Sequence, residues 1–271
     1  MPRGLGRPRG GSDAPAAREA MHYLSIVLGV SVVMATVFTA WSPASLRPGQ
    51  LAENLIALVQ GGEQPITTPA PDFSPGQGVR VGIVAGHSGI NPISGVTDPG
   101  SQCPDGLAEV DVNLSIARQV ADRLEAAGFA VDLLEEFDQR LVQYRAAALV
   151  SIHADTCAWI NEFATGYKVS GALDTAIPDR TQRLVDCIAD RYGRATGLRF
   201  QYGSITRDMT DYHTFREVHS QTPAVIIETG FLNLDRDFLT QNPDKAAIGI
   251  VDGLLCYLYN EPATVPIQGA P

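Results

Sequence analysis

Positive charge is scarce in this chain. Lys and Arg number 20 against 30 Asp and Glu, which leaves a formal net charge of -10. Phosphate backbones are bound by clustered Lys and Arg, so the composition excludes nucleic acid as a partner. An acidic balance is otherwise the ordinary state of a soluble surface. Repeats at solenoid or propeller spacing are missing, so the chain is no repeat array. Cysteine is rare, at four residues. What remains is a 271-residue chain with 45% hydrophobic residues. That is enough for one sizeable core, but not for two large domains.

A single apolar run is long enough to matter for a membrane. Residues 1–21 are rich in Gly, Pro, Ala and Arg and lack an apolar period, which predicts a disordered tail. Residues 22–41 follow, uncharged from Tyr23 to Trp41. About 20 apolar residues span a hydrocarbon core, and Tyr23 and Trp41 fall where interfacial aromatics belong. Arg3, Arg7, Arg9 and Arg18 precede the run, whereas Arg47 after it stands alone. That asymmetry predicts a single-pass signal-anchor in the cytoplasmic membrane, with the tail inside and everything after Trp41 outside. A cleaved signal peptide is the alternative, but the small-x-small pattern around Phe38-Thr39-Ala40 is poor. Residues 42–78, with Pro43, Pro48, Pro65, Pro69, Pro71 and Pro75, read as a tether. Leu51 to Val59 within it reads as a short amphipathic helix, expected to serve as a spacer between membrane and domain.

From Val79 the pattern alternates strand and helix. Val81 to Ala85 reads as a buried strand, Glu109 to Ala127 as a helix, and Phe129 to Leu134 as a second strand. A short helix over Gln139 to Ala147, a strand over Ala148 to Ile152 and an edge strand over Gly166 to Ser170 come next. Pro178 to Thr196 is a long helix, Ala224 to Ile227 a very apolar strand, and Lys245 to Tyr259 the closing helix. This order predicts an α/β fold: a mainly parallel or mixed twisted sheet with helices on both faces, preceded by one transmembrane helix. The folded part is expected over residues 79–261, with a disordered tail over 262–271.

Three of these strands end in a polar residue. Gly86-His87 closes the first, Ser151-Ile152-His153 the third, and Ile227-Glu228 the last. Side chains just past the carboxyl ends of such strands stand where open α/β sheets bind ligands. Glu109 opens the first helix, where the helix dipole alone would also favour a carboxylate. Two His and one carboxylate, with a water, form a known catalytic zinc arrangement, and His87, Glu109 and His153 are the candidates. Glu228 needs a partner if buried, because a lone buried charge is costly. That partner is water at a metal, the end of a neighbouring helix that the carboxylate caps, or an arginine such as Arg216 or Arg236.

These residues, taken in order, resemble the zinc-dependent N-acetylmuramoyl-L-alanine amidases of the Amidase_3 type. The likeness rests on Gly86-His87-Ser88-Gly89, Gly106-Leu107-Ala108-Glu109, Ser151-Ile152-His153-Ala154 and the run from Pro223 to Asn233. It implies that His87, Glu109 and His153 bind Zn²⁺ and that Glu228 is the catalytic carboxylate. It also implies hydrolysis of the amide between the N-acetylmuramic acid lactyl group and L-Ala of the peptidoglycan stem peptide. Another zinc peptidase or amidohydrolase on this scaffold, or a non-catalytic cell-wall-binding module, is the alternative. The chain departs from the family pattern at Val84-Ala85, where Asp-Pro is usual, and at Ser88-Gly89, where Gly-Gly is usual. The segment Ile90 to Gly106 is also longer.

If both imidazoles meet at one metal, Cys103 and Cys157 come close, and a disulfide between them is expected outside the cytoplasm. Extra zinc ligation by these two is the rival reading. Cys187 and Cys256 sit on apolar helix faces and read as buried thiols. Tyr212, His213 and Arg216 belong to an unusually polar, aromatic segment and are candidates for touching substrate. A plain surface loop is the competing reading. No residue points to a protein partner.

Overall fold

The computed structural model describes residues 78–264. The expected membrane helix, most of the tether and the last seven residues lie outside the described residues. Among the described residues no helix is long and apolar enough to cross a membrane.

Five strands form one sheet: β1 (Arg80–Ala85), β2 (Ala130–Glu135), β3 (Ala148–Asp155), β4 (Lys168–Gly171) and β5 (Ala224–Phe231). Their order is β2-β1-β3-β5-β4. All neighbours are parallel except β4, which runs antiparallel to β5 at one edge. The sheet is therefore mixed. Central strands β1, β3 and β5 are buried on both sides, which is why they read as unbroken apolar runs.

Three long helices cover one face: α1 (Glu109–Ala126), α2 (Pro178–Thr196) and a C-terminal helix, Pro243–Leu258. Ile83, Val150, Ile152 and Ile227 meet Ile116, Val120, Leu184, Ile188 and Leu254 in that core. The other face carries Val84, Leu149 and Ile226 under shorter pieces. These are α3 (Arg207–Thr210), α4 (His213–Glu217) and a 3₁₀ turn at Gln139–Leu141. α5 (Arg236–Gln241) precedes the C-terminal helix, hereafter α6.

Two expectations need correction. The helix expected over Gln139 to Ala147 is only that 3₁₀ turn, because Leu141 and Tyr144 are pulled into the core as single anchors. Cys187 and Cys256 are not thiols but a disulfide, joining α2 to α6. A Cβ on Gly253 would stand 2.7 Å from the Ile188 Cα, so this glycine lets the two helix backbones approach. Sequence periodicity shows which face of each helix is apolar, but not which faces meet.

Both sulfurs of that bridge are fully buried. Replacing the pair together, Cys187→Ala with Cys256→Ala, is expected to cost about 2–4 kcal/mol of stability. Urea midpoints at constant m-value measure it. A loss below about 0.5 kcal/mol would show that helix packing alone holds the contact.

Candidate metal centre

β1 and β3 are neighbours, so His87 and His153 leave the same rim of the sheet. Gly86 makes their meeting possible: any Cβ there would run into the His153 imidazole. His87 itself turns left-handed, with φ 61°, a conformation that costs energy for a non-glycine residue. Its ring centroid stands 5.1 Å from that of His153.

Glu109, the first residue of α1, reaches both rings. Its Oε2 is 3.4 Å from His87 Nε2, and its Oε1 is 3.3 Å from His153 Nδ1. One donor atom from each of the three residues lies within 4.8 Å of the other two, so they can converge on one ion, and two imidazoles with one carboxylate are a donor set that suits a metal. The Ser101 N–H donates to Glu109 Oε2 at 3.0 Å, and the Ala154 N–H and Asn113 Nδ2 both donate to Oε1 at 3.2 Å. Burial works to raise the Glu109 carboxyl, but the His153 hydrogen bond and the two imidazole charges outweigh it and hold it low. His153 is affected reciprocally. Burial pushes it down, while Glu109, Glu228 and Glu136 push it up further.

Glu228 stands directly across from His153 on β5. Its Oε2 is sealed from solvent and has no hydrogen-bond partner among the described residues. Burial is the main cause that pushes its carboxyl up to about 7. Neither arginine reaches it: Arg216 pairs with Asp211 and Arg236 with Asp105, both at the surface. On its other side Lys168 of β4 is in register with Glu228 and pairs with Asp155. Lys168 also lies over the Phe231 ring, 5.2 Å from its centroid.

The disulfide Cys103–Cys157 ties the loop after β1 to the loop after β3. The Cys157 N–H also donates to Ser101 Oγ at 2.9 Å, so the residue that holds Glu109 is itself held.

Of the three candidates for touching substrate, two come to the site. Tyr212 OH lies 3.3 Å from His153 Nε2, 3.1 Å from Ser151 Oγ and 3.2 Å from Glu136 Oε1. His213 Nε2 lies 3.2 Å from Glu136 Oε1 and its Nδ1 2.9 Å from Glu217 Oε1. Arg216 stays on the surface with Asp211.

Sequence reasoning missed Glu136. It follows β2, which ends in no conspicuous motif, yet it is buried. It accepts the His87 N–H and the Tyr212 and His213 contacts. Burial works to raise its carboxyl, but the His213 bond and the His153 and His87 charges hold it at about 2. It thus fixes His87 directly and His153 through Tyr212, the role that outer carboxylates play around metal-binding imidazoles. Glu136→Gln is expected to weaken metal affinity about 10- to 100-fold, read by competition with a chelating dye. Unchanged affinity would reduce Glu136 to a packing residue.

Two imidazoles and a carboxylate on the carboxyl rim of an α/β sheet, beside a second, unpartnered carboxylate, define a metallohydrolase type of site. The chain belongs to the N-acetylmuramoyl-L-alanine amidase family, whose Amidase_3 profile matches residues 81–255. N-acetylmuramoyl-L-alanine amidase AmiC of Neisseria meningitidis is 29% identical over 199 residues, covering 66% of this chain and 47% of that one. The chain thus spans about half the length of that curated relative. Among solved structures, the amidase AmiC2 of Nostoc punctiforme is 25% identical with a TM-score of 0.52, covering 67% of this chain and 97% of that one. The amidase Ami1 of Mycobacterium smegmatis shares the fold at 19% identity and a TM-score of 0.56, covering 69% and 100%.

Proposed function

We propose that the domain hydrolyses the amide between the lactyl group of N-acetylmuramic acid and L-Ala of the stem peptide in peptidoglycan. The single observation that carries this reading is the His87–Glu109–His153 group with Glu228 beside it. Family membership supplies the bond that is cut. In this reading the three side chains hold Zn²⁺. Bound zinc would polarise the scissile carbonyl and bring the pKa of water toward ~7. Glu228 takes the proton from the attacking water and returns it to the leaving amine, a task suited to a carboxyl poised near neutrality. Tyr212 and Glu136 keep the two imidazoles aimed. A non-catalytic wall-binding module would have no use for a half-buried carboxylate with an unpaired oxygen at this spot.

Metal analysis of the purified chain, followed by a muropeptide digest read by mass, tests the proposal. The expected result is one zinc per chain and release of intact stem peptides, stopped by a chelator and restored by Zn²⁺. Cleavage inside the peptide instead would favour a peptidase. Bound zinc without any cleavage would favour the binding module.

The same proposal tethers the domain outside the cytoplasmic membrane through residues 22–41. It draws on the apolar run and the preceding arginines alone. Protease added to intact spheroplasts should remove the domain, and full protection would overturn this topology.

A further inference from the structure

The edge of the sheet holds a slot that amide hydrolysis does not use. β4 pairs with a strand on one side only. Its outer side is closed at both ends. The Tyr167 N–H donates to the Arg199 carbonyl at 3.0 Å, and the Tyr167 carbonyl accepts from the Gln201 N–H at 2.8 Å. Further along, the Leu173 N–H donates to the Thr210 carbonyl at 3.3 Å. Backbone groups alternate along an antiparallel strand, so Val169 and Gly171 turn their N–H groups outward as Tyr167 does. Among the described residues no loop or side-chain acceptor meets either one.

Between those closed ends the chain bows away through Tyr202–Ser204 and α3. It leaves a cavity of ≈ 550 Å³, lined by Val169, Val185, Phe200 and Ile205 among others. Asp179 and Asp186 of α2 are its only charged lining residues among those described. That volume suits a small ligand. Unpaired strand edges accept an extended peptide backbone. With no basic residue among its described lining, this acidic wall favours a positively charged group. Burial pushes the Asp186 carboxyl up even though Gln182 donates to its Oδ1 at 2.8 Å and Arg183 lies near it, and a bound ammonium would offset more of that cost.

We propose that this slot binds a short extended peptide with a free N-terminal ammonium. Such a peptide is what hydrolysis of the lactyl amide releases, so the source of the ligand, though not the slot, rests on the function proposed above. The peptide lies beside β4 and accepts from the Val169 and Gly171 N–H groups. Its ammonium sits at Asp179 or Asp186.

Titration calorimetry of the full chain with tetra-L-alanine, and with its N-acetyl form, tests the slot. The free-amine peptide is expected to saturate one site per chain. Acetylation should weaken it by at least about tenfold, the loss of a charge-assisted contact. Val169→Pro removes an outward N–H without touching the ladder to β5, and should weaken binding about 2- to 10-fold. Val185→Phe, which fills the cavity, should abolish binding and serves if the proline variant fails to fold. No saturable heat at millimolar peptide, or equal binding by both variants, would overturn the proposal. So would binding that vanishes with a chelator, because that places the peptide at the metal. Saturable, slot-dependent binding by a chain that leaves peptidoglycan intact would keep the slot and sink the proposed hydrolysis instead.

Discussion

Glu228→Gln is expected to lower amide hydrolysis by about 100- to 10,000-fold while leaving metal affinity unchanged. Glutamine keeps the shape of the side chain but cannot carry the proton. The carboxylate is set apart from the metal group by its surroundings. His87, Glu109 and His153 share contacts with one another, whereas Glu228 Oε2 has no hydrogen-bond partner among the described residues. Its desolvation is what lifts the carboxyl to about 7. The neutral amide should also relieve that burial cost, so the variant is expected to be no less stable than the parent. Muropeptide turnover and zinc titration on the same preparation check both halves. Wild-type turnover in a zinc-loaded variant would remove Glu228 from the chemistry. Loss of zinc together with activity would instead make it a fourth ligand.

Glu109→Ala should act on the other half of the site. Its carboxylate contacts both imidazoles, and it also takes hydrogen bonds from Ser101, Asn113 and Ala154. Removing it takes a ligand from the metal and leaves those buried donors unpaired. Metal affinity is expected to fall by more than about 100-fold, beyond what loss of an outer partner costs. Linkage turns that into a stability difference. Zinc at 100 times the wild-type Kd should stabilise the parent by about 2.7 kcal/mol. With affinity down 100-fold, the variant should gain only about 0.4 kcal/mol at the same concentration. Thermal unfolding with and without zinc reads the difference. An equal zinc-dependent shift in both proteins would mean that the ion is held elsewhere.

Glu136 shows where a reading of the residues alone runs out. Its neighbours in sequence give no sign of chemistry. Its partners His87, Tyr212 and His213 lie 49, 76 and 77 positions away. Tyr212 and His213 stood out by composition but not by role, because only packing over the β5 face brings them to Glu136. Arg216, three positions on, looked equally suitable and points elsewhere.

The chain by itself determined its five strands and three long helices, and the helix start at Glu109; it also marked His87, His153 and Glu228, although β3 and β5 run on past the last two. These are local matters: an apolar run ends, a polar residue follows, and hydrophobic periodicity reports both within a few positions. Tertiary structure alone decided the strand order, the pairing of Cys187 with Cys256, the arrival of Glu136 and the unpaired stretch of β4. Each of those depends on register and on which faces meet, and both are set by contacts between residues far apart along the backbone.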